Sequence, residues 1–357
     1  MKKSSALLVL CLTFSNLFSQ VKQIEIKTDP RVELITVMQL LYSYPLVGKA
    51  DIKYKKEVLD YFGSHENDST VLYFLDIAQK YFSFIKPINY TLHYSFPDFK
   101  QTAQFNDYEK SELEFGKYSD PLKFFIRNVE AFSNSARFQE FYESRKPFYS
   151  KIIADVKGAV DSADLVSILE THYGVKQKSY TLILSPLFIE AGMSTWIDTP
   201  SGRELYSIIG PNLSSRDYPD FDTQWMIRNL VTHEFSHPFC NPFIDANYKE
   251  MEKDSCLFEP VRKAMDQQGC GDWKSALKEN FTRANEIVLI EKIYGTVEAE
   301  KLYSQYINQK WIFLKGLVPL VRKYSHNRNT YRTLNDLMPE VTDYFHAEAK
   351  NCNRNSN

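Results

Sequence analysis

Apolar residues in the first half of the chain recur every three or four positions, which is the spacing of a helix with one buried face. Within this half, residues 89–95 are the main strand candidate. The helices that the spacing predicts cover residues 32–44, 53–62, 71–82, 121–132, 148–159 and 163–172.

The pattern changes from residue 179 onward. Apolar side chains occupy every second position at Tyr180, Leu182 and Leu184, and residues 205–209 form a second short apolar run. We interpret both runs as strands. Since a further helical segment follows them, the chain is predicted to have an α+β fold that is predominantly helical, with a small β-sheet beside that helix.

The helical segment after these strands starts near residue 222, where Asp222 or Thr223 can cap a helix. Proline disfavours helical geometry in the residue before it, so Pro238 is expected to kink or end this helix at His237. Its apolar residues at helical spacing are Met226, Ile227, Leu230 and Val231.

This helix carries the sequence His-Glu-Phe-Ser-His at residues 233–237. Histidines four positions apart project from one helix face and can bind a single metal ion. Neutral imidazole is a good zinc ligand, and Glu234 points into the same site, where a carboxylate can take a proton from water. The motif therefore predicts a zinc hydrolase with His233 and His237 as ligands and Glu234 as general base.

A catalytic zinc site needs a third protein ligand and leaves the fourth position to water. Residues 273–293 have the apolar spacing of a long helix. Glu279, Arg283 and Glu286 share another face of it, since offsets of four and seven residues return to nearly the same azimuth. Arg283 can orient or neutralise a carboxylate one turn away. We therefore expect Glu279 to be the third ligand, with Glu286 as the alternative.

Five segments carry a resemblance to a known family: YTLILSP at 180–186, LYSIIGP at 205–211, HEFSHPFCNP at 233–242, ENFTRA at 279–284 and YRTLNDLMP at 331–339. Together they resemble a bacterial family described only as a domain of unknown function and similar to the gluzincins. The resemblance extends over residues 32–345, and its histidine motif is the specific part.

This resemblance implies a zincin-like catalytic region in which a small sheet lies beside the histidine helix. It implies that His233, His237 and Glu279 hold zinc and that Glu234 is the general base. The expected protein is a zinc metallopeptidase whose partner is a peptide or protein substrate, cleaved by water that zinc activates. The edge strand of the sheet is expected to hold an extended peptide by backbone hydrogen bonds.

Hydrolysis of an amide also requires a donor for the developing oxyanion. The C-terminal part of the chain offers Tyr331, His326 and Tyr324 for this role. Tyr331 is the first choice among them, and the other two are alternatives.

The first residues resemble a secretory signal peptide, with Lys2 and Lys3 before an apolar run at 6–14 and the small residue Ser19 near the expected cleavage position. The protein is therefore expected to be secreted or periplasmic. No later segment has the ~20 apolar residues of a membrane span. The predicted divisions are a signal peptide at 1–20, a mainly helical region at 21–175, the catalytic region at 176–350 and a flexible tail at 351–357.

The composition of the chain adds to this prediction only by excluding some classes of binding partner. The chain has 43% hydrophobic residues, enough for a packed core, and a formal net charge of −2 that becomes more negative when the two leader lysines are removed. Because the chain has no basic tract, nucleic acids and anionic membrane surfaces are excluded as partners. The oligomeric state stays open.

Four cysteines follow the leader: Cys240, Cys256, Cys270 and Cys352. Outside the cytoplasm they can form two disulfides, and of three pairings the one that joins Cys256 to Cys270 is favoured. Cys240 lies three residues after His237, and we expect a buried thiol or a disulfide there.

Two other functions fit the same sequence. One is a secreted binding protein that keeps a residual metal site without catalysis, and it would not need a positioned third ligand. The other is a zinc amidase that cleaves a non-peptide or cell-wall amide, for which a closed polar pocket is expected in place of an exposed edge strand.

Overall fold

The computed structural model describes residues 22–160, 164–222 and 226–354, with all their side chains except those of 226–228, 351, 353 and 354. The signal peptide predicted at residues 1–20 and the cap candidate Thr223 lie outside these ranges. Both therefore stay predictions.

Most described residues are helical, and a small mixed sheet accompanies the helices, which confirms the predicted α+β class. The sheet has the strand order β1-β3-β5-β4, in which β1, β3 and β5 are parallel and β4 is an antiparallel edge strand. A second sheet pairs β2 with β6. The strands are β1 (Ile24–Lys27), β2 (Asp51–Ile52), β3 (Ser179–Leu184), β4 (Gly192–Thr199), β5 (Gly202–Ile209) and β6 (Arg216–Asp217).

The helices surround the larger sheet and share one apolar core with it. Short 3₁₀ helices occur at Gly63–His65, Glu252–Val261 and Leu334–Asp336. The α-helices are α1 (Pro30–Leu41), α2 (Lys53–Phe62), α3 (Ser69–Lys80), α4 (Lys86–Leu92), α5 (Asp107–Glu112), α6 (Phe115–Ser135), α7 (Phe138–Ser144), α8 (Lys146–Val160), α9 (Leu165–Tyr173), α10 (Met226–Met251), α11 (Arg262–Asp266), α12 (Trp273–Tyr294), α13 (Thr296–Asn308), α14 (Leu314–His326) and α15 (Met338–Arg354).

The helices predicted from apolar spacing are present, with ends that differ by a few residues. The predicted helix at 53–62 coincides with α2, and the one at 273–293 is α12. Residue 163, the predicted start of α9, lies outside the described residues. The predicted tail at 351–357 begins inside α15, so its first residues are helical.

The strand predicted at 89–95 is wrong, because most of this segment forms α4. Its apolar residues alternate with Thr91 and His93, but those two polar residues are fully buried as well. When the side chains on every face of a segment are buried, the spacing of its apolar residues does not distinguish a helix from a strand. Pro87 stands in the first turn, where a proline fits a helix, and its carbonyl accepts a hydrogen bond from the Thr91 hydroxyl at 2.7 Å.

The larger sheet joins distant parts of the chain. β1 pairs with β3 in parallel, so residues from the predicted N-terminal region contribute a strand beside the predicted catalytic region. The sheet thus crosses the division expected near residue 175. The sequence pattern does not predict the edge strand β4, which is joined to β5 by a two-residue turn at Pro200 and Ser201.

The helix α10 does not end at His237 but continues to Met251, with Pro238 and Pro242 inside it. Because Pro242 has no N–H, the carbonyl of Pro238 four residues earlier loses its helical partner. Arg203 of β5 replaces that partner, since its Nη1 donates to the Pro238 carbonyl at 3.0 Å. A side chain from the sheet therefore supports the turn that follows the histidine motif.

In the described ranges, none of the helices is both long enough and apolar enough to cross a membrane.

Replacing Arg203 with alanine should destabilise the protein, because the buried carbonyl of Pro238 would lose its donor. An unsatisfied buried carbonyl costs about 1–3 kcal/mol. Urea unfolding should show a loss of this size in the free energy of unfolding. The matched control is Arg216→Ala, which removes an exposed arginine that also donates to backbone carbonyls and should cost no more than ~0.5 kcal/mol. Equal losses in the two variants would contradict this role of Arg203.

Candidate metal centre

The histidine motif lies in the part of α10 that packs against the larger sheet. Phe235, the central residue of the motif, is fully buried, and its ring contacts the ring of Tyr180 on β3 at 5.4 Å, edge to face. The helix is thereby fixed in rotation, and His233, Glu234 and His237 project into a cleft. A second ring pair, Phe243 with Phe281 at 4.8 Å, packs α10 against α12.

Three side chains from these two helices converge in the cleft. The Nε2 atoms of His233 and His237 are 3.0 Å apart. Glu279 of α12 faces both, with its carboxylate oxygens 3.5 Å from His233 Nε2 and 3.3 Å from His237 Nε2. The structure thus brings together the two histidines and the carboxylate that the sequence pairs with them.

This trio has a geometry that could hold a metal ion. One ligand atom from each residue lies within 4.8 Å of the other two. Tetrahedral zinc, with bonds of about 2.0–2.1 Å to nitrogen or oxygen, places its ligand atoms about 3.3 Å apart, close to the distances observed here. Two imidazoles and one carboxylate are also a donor set that leaves a fourth position free.

Glu286 lies behind His233 and not in the trio. Its Oε2 is 2.9 Å from His233 Nδ1 and also accepts a hydrogen bond from the Tyr306 hydroxyl at 2.9 Å. A carboxylate at Nδ1 holds the ring proton there and leaves the Nε2 lone pair directed at the trio. Of the two carboxylates that the sequence left open, Glu279 therefore faces both Nε2 atoms, and Glu286 orients His233.

The ring of His237 is likewise oriented through its Nδ1 atom. Its Nδ1 is 3.1 Å from Asn241 Oδ1 and 3.3 Å from the hydroxyl of Thr282. Sequence reasoning missed both residues. Asn241 could have been found, since it follows His237 by four positions and so lies on the same face of α10. Thr282 could not, because its approach depends on how α12 crosses α10.

Arg283 holds the carboxylate of Glu279, as the sequence indicates. Its Nη2 is 3.1 Å from Glu279 Oε2. The guanidinium lies 4.5 Å from the ring centre of Tyr306 and 4.4 Å from that of Trp311, which fixes its plane. Burial raises the pKa of Glu279, but the imidazoles and Arg283 outweigh it and lower this pKa overall. The carboxylate is therefore ionised and available as a ligand.

Glu234 sits beside the trio in a water-poor position. Only 5% of its surface is exposed, and this burial is the main cause that raises the pKa of its carboxyl to about 7. Gly192 at the start of β4 lies against it: a Cβ on Gly192 would be 2.5 Å from Glu234 Cγ. The missing side chain is what allows the edge strand to approach the carboxylate.

The trio and Glu234 line a cleft of about 1320 Å³. One wall is formed by α10 and α12, and the edge strand β4 contributes residues 192–196 to the cleft lining. Residues from the N-terminal half of the chain, among them Tyr81, Phe84, His93 and Tyr108, complete it. The mainly helical first half therefore forms part of the same cleft.

The three oxyanion candidates do not join the trio. The hydroxyl of Tyr331 donates to Glu340, and its ring packs beside Tyr324. The Tyr324 hydroxyl donates to the backbone carbonyl of His172 at 2.7 Å, and His326 is exposed at the end of α14. Tyr331 is not brought to the trio, because α14 and the segment after it lie outside the lining of the cleft.

Cys256 and Cys270 are not bonded to each other, so the favoured pairing of these two residues is wrong. The intervening residues form a 3₁₀ helix and α11 instead of an open loop. Cys256 contacts Cys352, whereas Cys270 lies in the cleft wall. Cys240 is a buried thiol, as expected, with its sulfur 3.8 Å from the Tyr173 hydroxyl.

The sequence model of the family described as a domain of unknown function, DUF4932, matches residues 111–343. Since this match covers more than half of the chain, the protein belongs to that family. The resemblance to a family described in these words is thereby confirmed. Comparison with curated proteins and with solved structures gives no match.

Metal analysis of the purified protein supplied with zinc should find about one zinc ion per chain. Glu279→Ala should lose this zinc on dialysis against a chelator, because a ligand is removed. Glu286→Gln should keep the stoichiometry and weaken the affinity roughly 10- to 100-fold, since it only orients His233. Glu298→Ala, which removes a partly exposed carboxylate of α13, is the control and should behave as wild type. A Glu279→Ala variant that binds zinc as tightly as wild type would exclude this ligand set.

Proposed function

We propose that this member of the DUF4932 family is a secreted zinc metallopeptidase with a zincin-like catalytic region. The observation that carries the proposal is the convergence of both Nε2 atoms of the motif on the Glu279 carboxylate, with Glu234 beside them in a cleft. His233, His237 and Glu279 would hold the metal ion. A structural metal site would be closed by a fourth protein ligand, whereas this set keeps one position for water.

Zinc bound here would polarise the substrate carbonyl and lower the pKa of a water molecule toward ~7. Glu234 would carry out the proton transfers. As the water oxygen forms a bond to the carbonyl carbon, the Glu234 carboxylate takes the proton that the water loses. When the carbon–nitrogen bond breaks, Glu234 gives this proton to the departing amine. The products are a carboxylic acid and an amine, and the enzyme returns to its starting protonation state.

The burial of Glu234 favours both the acceptance and the release of a proton. A carboxyl whose pKa is raised to about 7 by desolvation can accept and release a proton near neutral pH. Gly192 keeps the carboxylate close to the edge strand, because any side chain there would overlap with it. The base is thus held where β4 meets the metal-binding face of α10.

The edge strand supports a peptide as the substrate. In the larger sheet β4 has a partner on one side only, β5, and its first residues line the cleft. An edge strand can bind an extended peptide through its free N–H and C=O groups. This arrangement favours a peptide over the closed small-molecule pocket that a non-peptide amidase would need. The positioned Glu279 likewise favours catalysis over a residual binding site.

Replacing Glu234 with glutamine should abolish peptide hydrolysis while zinc stays bound, because the amide cannot accept a proton. The expected loss is at least ~100-fold in kcat, the lower end of the contribution of a general base. Quenched fluorescent peptides give the rate, and metal analysis of the same samples gives the zinc content. The control is Glu190→Gln, which changes a carboxyl at the cleft margin and should keep most of the rate.

Gly192→Ala tests the same carboxylate from the side of the edge strand. The new methyl group would overlap with Glu234 Cγ, so this variant should also keep zinc and lose rate. Full activity in a zinc-loaded Glu234→Gln protein would refute the assignment of the base.

A further inference from the structure

One short helix crosses the cleft close to the trio. α5 carries Tyr108, whose ring stacks on Trp196 of β4 with 4.7 Å between ring centres and 26° between planes. The same side chain lies beside Asn241 of α10. The Lys278 ammonium of α12 lies 5.4 Å from the centre of its ring. Tyr108 therefore joins the edge strand to both helices that form the opposite wall.

The crossing segment is held in place at its start. Asn106 caps α5 and forms a capping box with Glu109. Its side-chain amide also donates to Asp198 Oδ2 of β4 at 2.6 Å. The buried Glu109 carboxylate is 3.0 Å from Nε2 of His93, which is fully buried and stacks on Phe105 at 3.9 Å. With contacts to β4 and to the residue that follows α4, α5 is a fixed part of the cleft and not a loose loop.

The distance from the site to this crossing can be followed along β4. Gly192 lies against Glu234, and Trp196, four residues further along the strand, carries the stacked ring of Tyr108. Residues of an extended strand advance about 3.3 Å each, so these two positions are about 13 Å apart. A peptide that pairs with β4 therefore has room for roughly four residues before it meets α5.

We propose that α5 is an end wall that restricts the enzyme to bonds near one end of a peptide chain. This inference rests on the proposed function and specifies its substrate: a peptide with a free terminus, cut within about four residues of that terminus. The remaining length of the peptide lies on the other side of the scissile bond.

The first test compares four forms of one peptide of about twelve residues, incubated with the zinc-loaded protein. The forms are the free linear peptide, its amino-acetylated and carboxyl-amidated derivatives, and a head-to-tail cyclic version. Mass spectrometry of the early products should show fragments of one to about four residues from one end of the linear form and no cutting of the cyclic form. Cutting of the cyclic peptide at a rate similar to the linear one, or early products from its middle, would overturn the end wall.

The second test removes the Tyr108 side chain from the proposed end wall. Tyr108→Ala should move the first cuts inward and raise the rate on the cyclic peptide at least ~10-fold, because the ring that blocks the cleft is removed. Lys110→Ala, an exposed change on the same helix, is the matched control and should keep the wild-type products. Circular dichroism and zinc content confirm that both variants are folded and loaded. A folded, zinc-loaded Tyr108→Ala protein with unchanged products would overturn the inference.

These outcomes separate the two proposals. If the zinc-loaded wild type cuts none of the four peptides, the proposed peptidase function fails and the end wall fails with it. If it cuts them internally, the peptidase function stands and the end wall alone is wrong.

Discussion

The packing of α10 against α12 is the constraint on which the rest of the site depends. Two histidines on one helix face can bind a metal ion only weakly unless a third ligand approaches from elsewhere. Here Glu279 approaches both histidines from α12, and its position depends on how the helices cross. The crossing is fixed by apolar contacts such as the Phe243–Phe281 ring stack, so the core sets the geometry of a polar site.

Polar side chains around the trio then specify the role of each group. Glu286 and Asn241 occupy the Nδ1 atoms of the two histidines, which directs both Nε2 atoms to the same point. The imidazoles and Arg283 lower the pKa of Glu279 and keep it ionised, although the burial of this carboxyl acts in the opposite direction. Glu234 has a raised pKa instead, because for it burial dominates. Three glutamates within one cleft thus have different proposed roles, those of metal ligand, orienting partner and base.

Local patterns in the sequence predicted the parts of the site that lie on a single helix. The spacing of His233 and His237 and the shared face of Glu279 and Arg283 follow from helical geometry alone. What the sequence could not supply depends on contacts between distant segments. Tyr331 was selected only for its hydroxyl, and that group donates to Glu340 on α15. The edge strand and α5 were missed because their residues acquire a role only when the first half of the chain packs over β4.

The central claim is that two imidazoles and one carboxylate form a zinc site, and X-ray absorption spectroscopy at the zinc edge tests it most directly. For the purified protein this account predicts one inner shell of nitrogen and oxygen atoms at about 2.0–2.1 Å, with the multiple-scattering signature of two imidazoles. Sulfur at about 2.3 Å would assign the zinc to cysteines instead. Either that result, or a protein that takes up no zinc when it is supplied, would contradict the account.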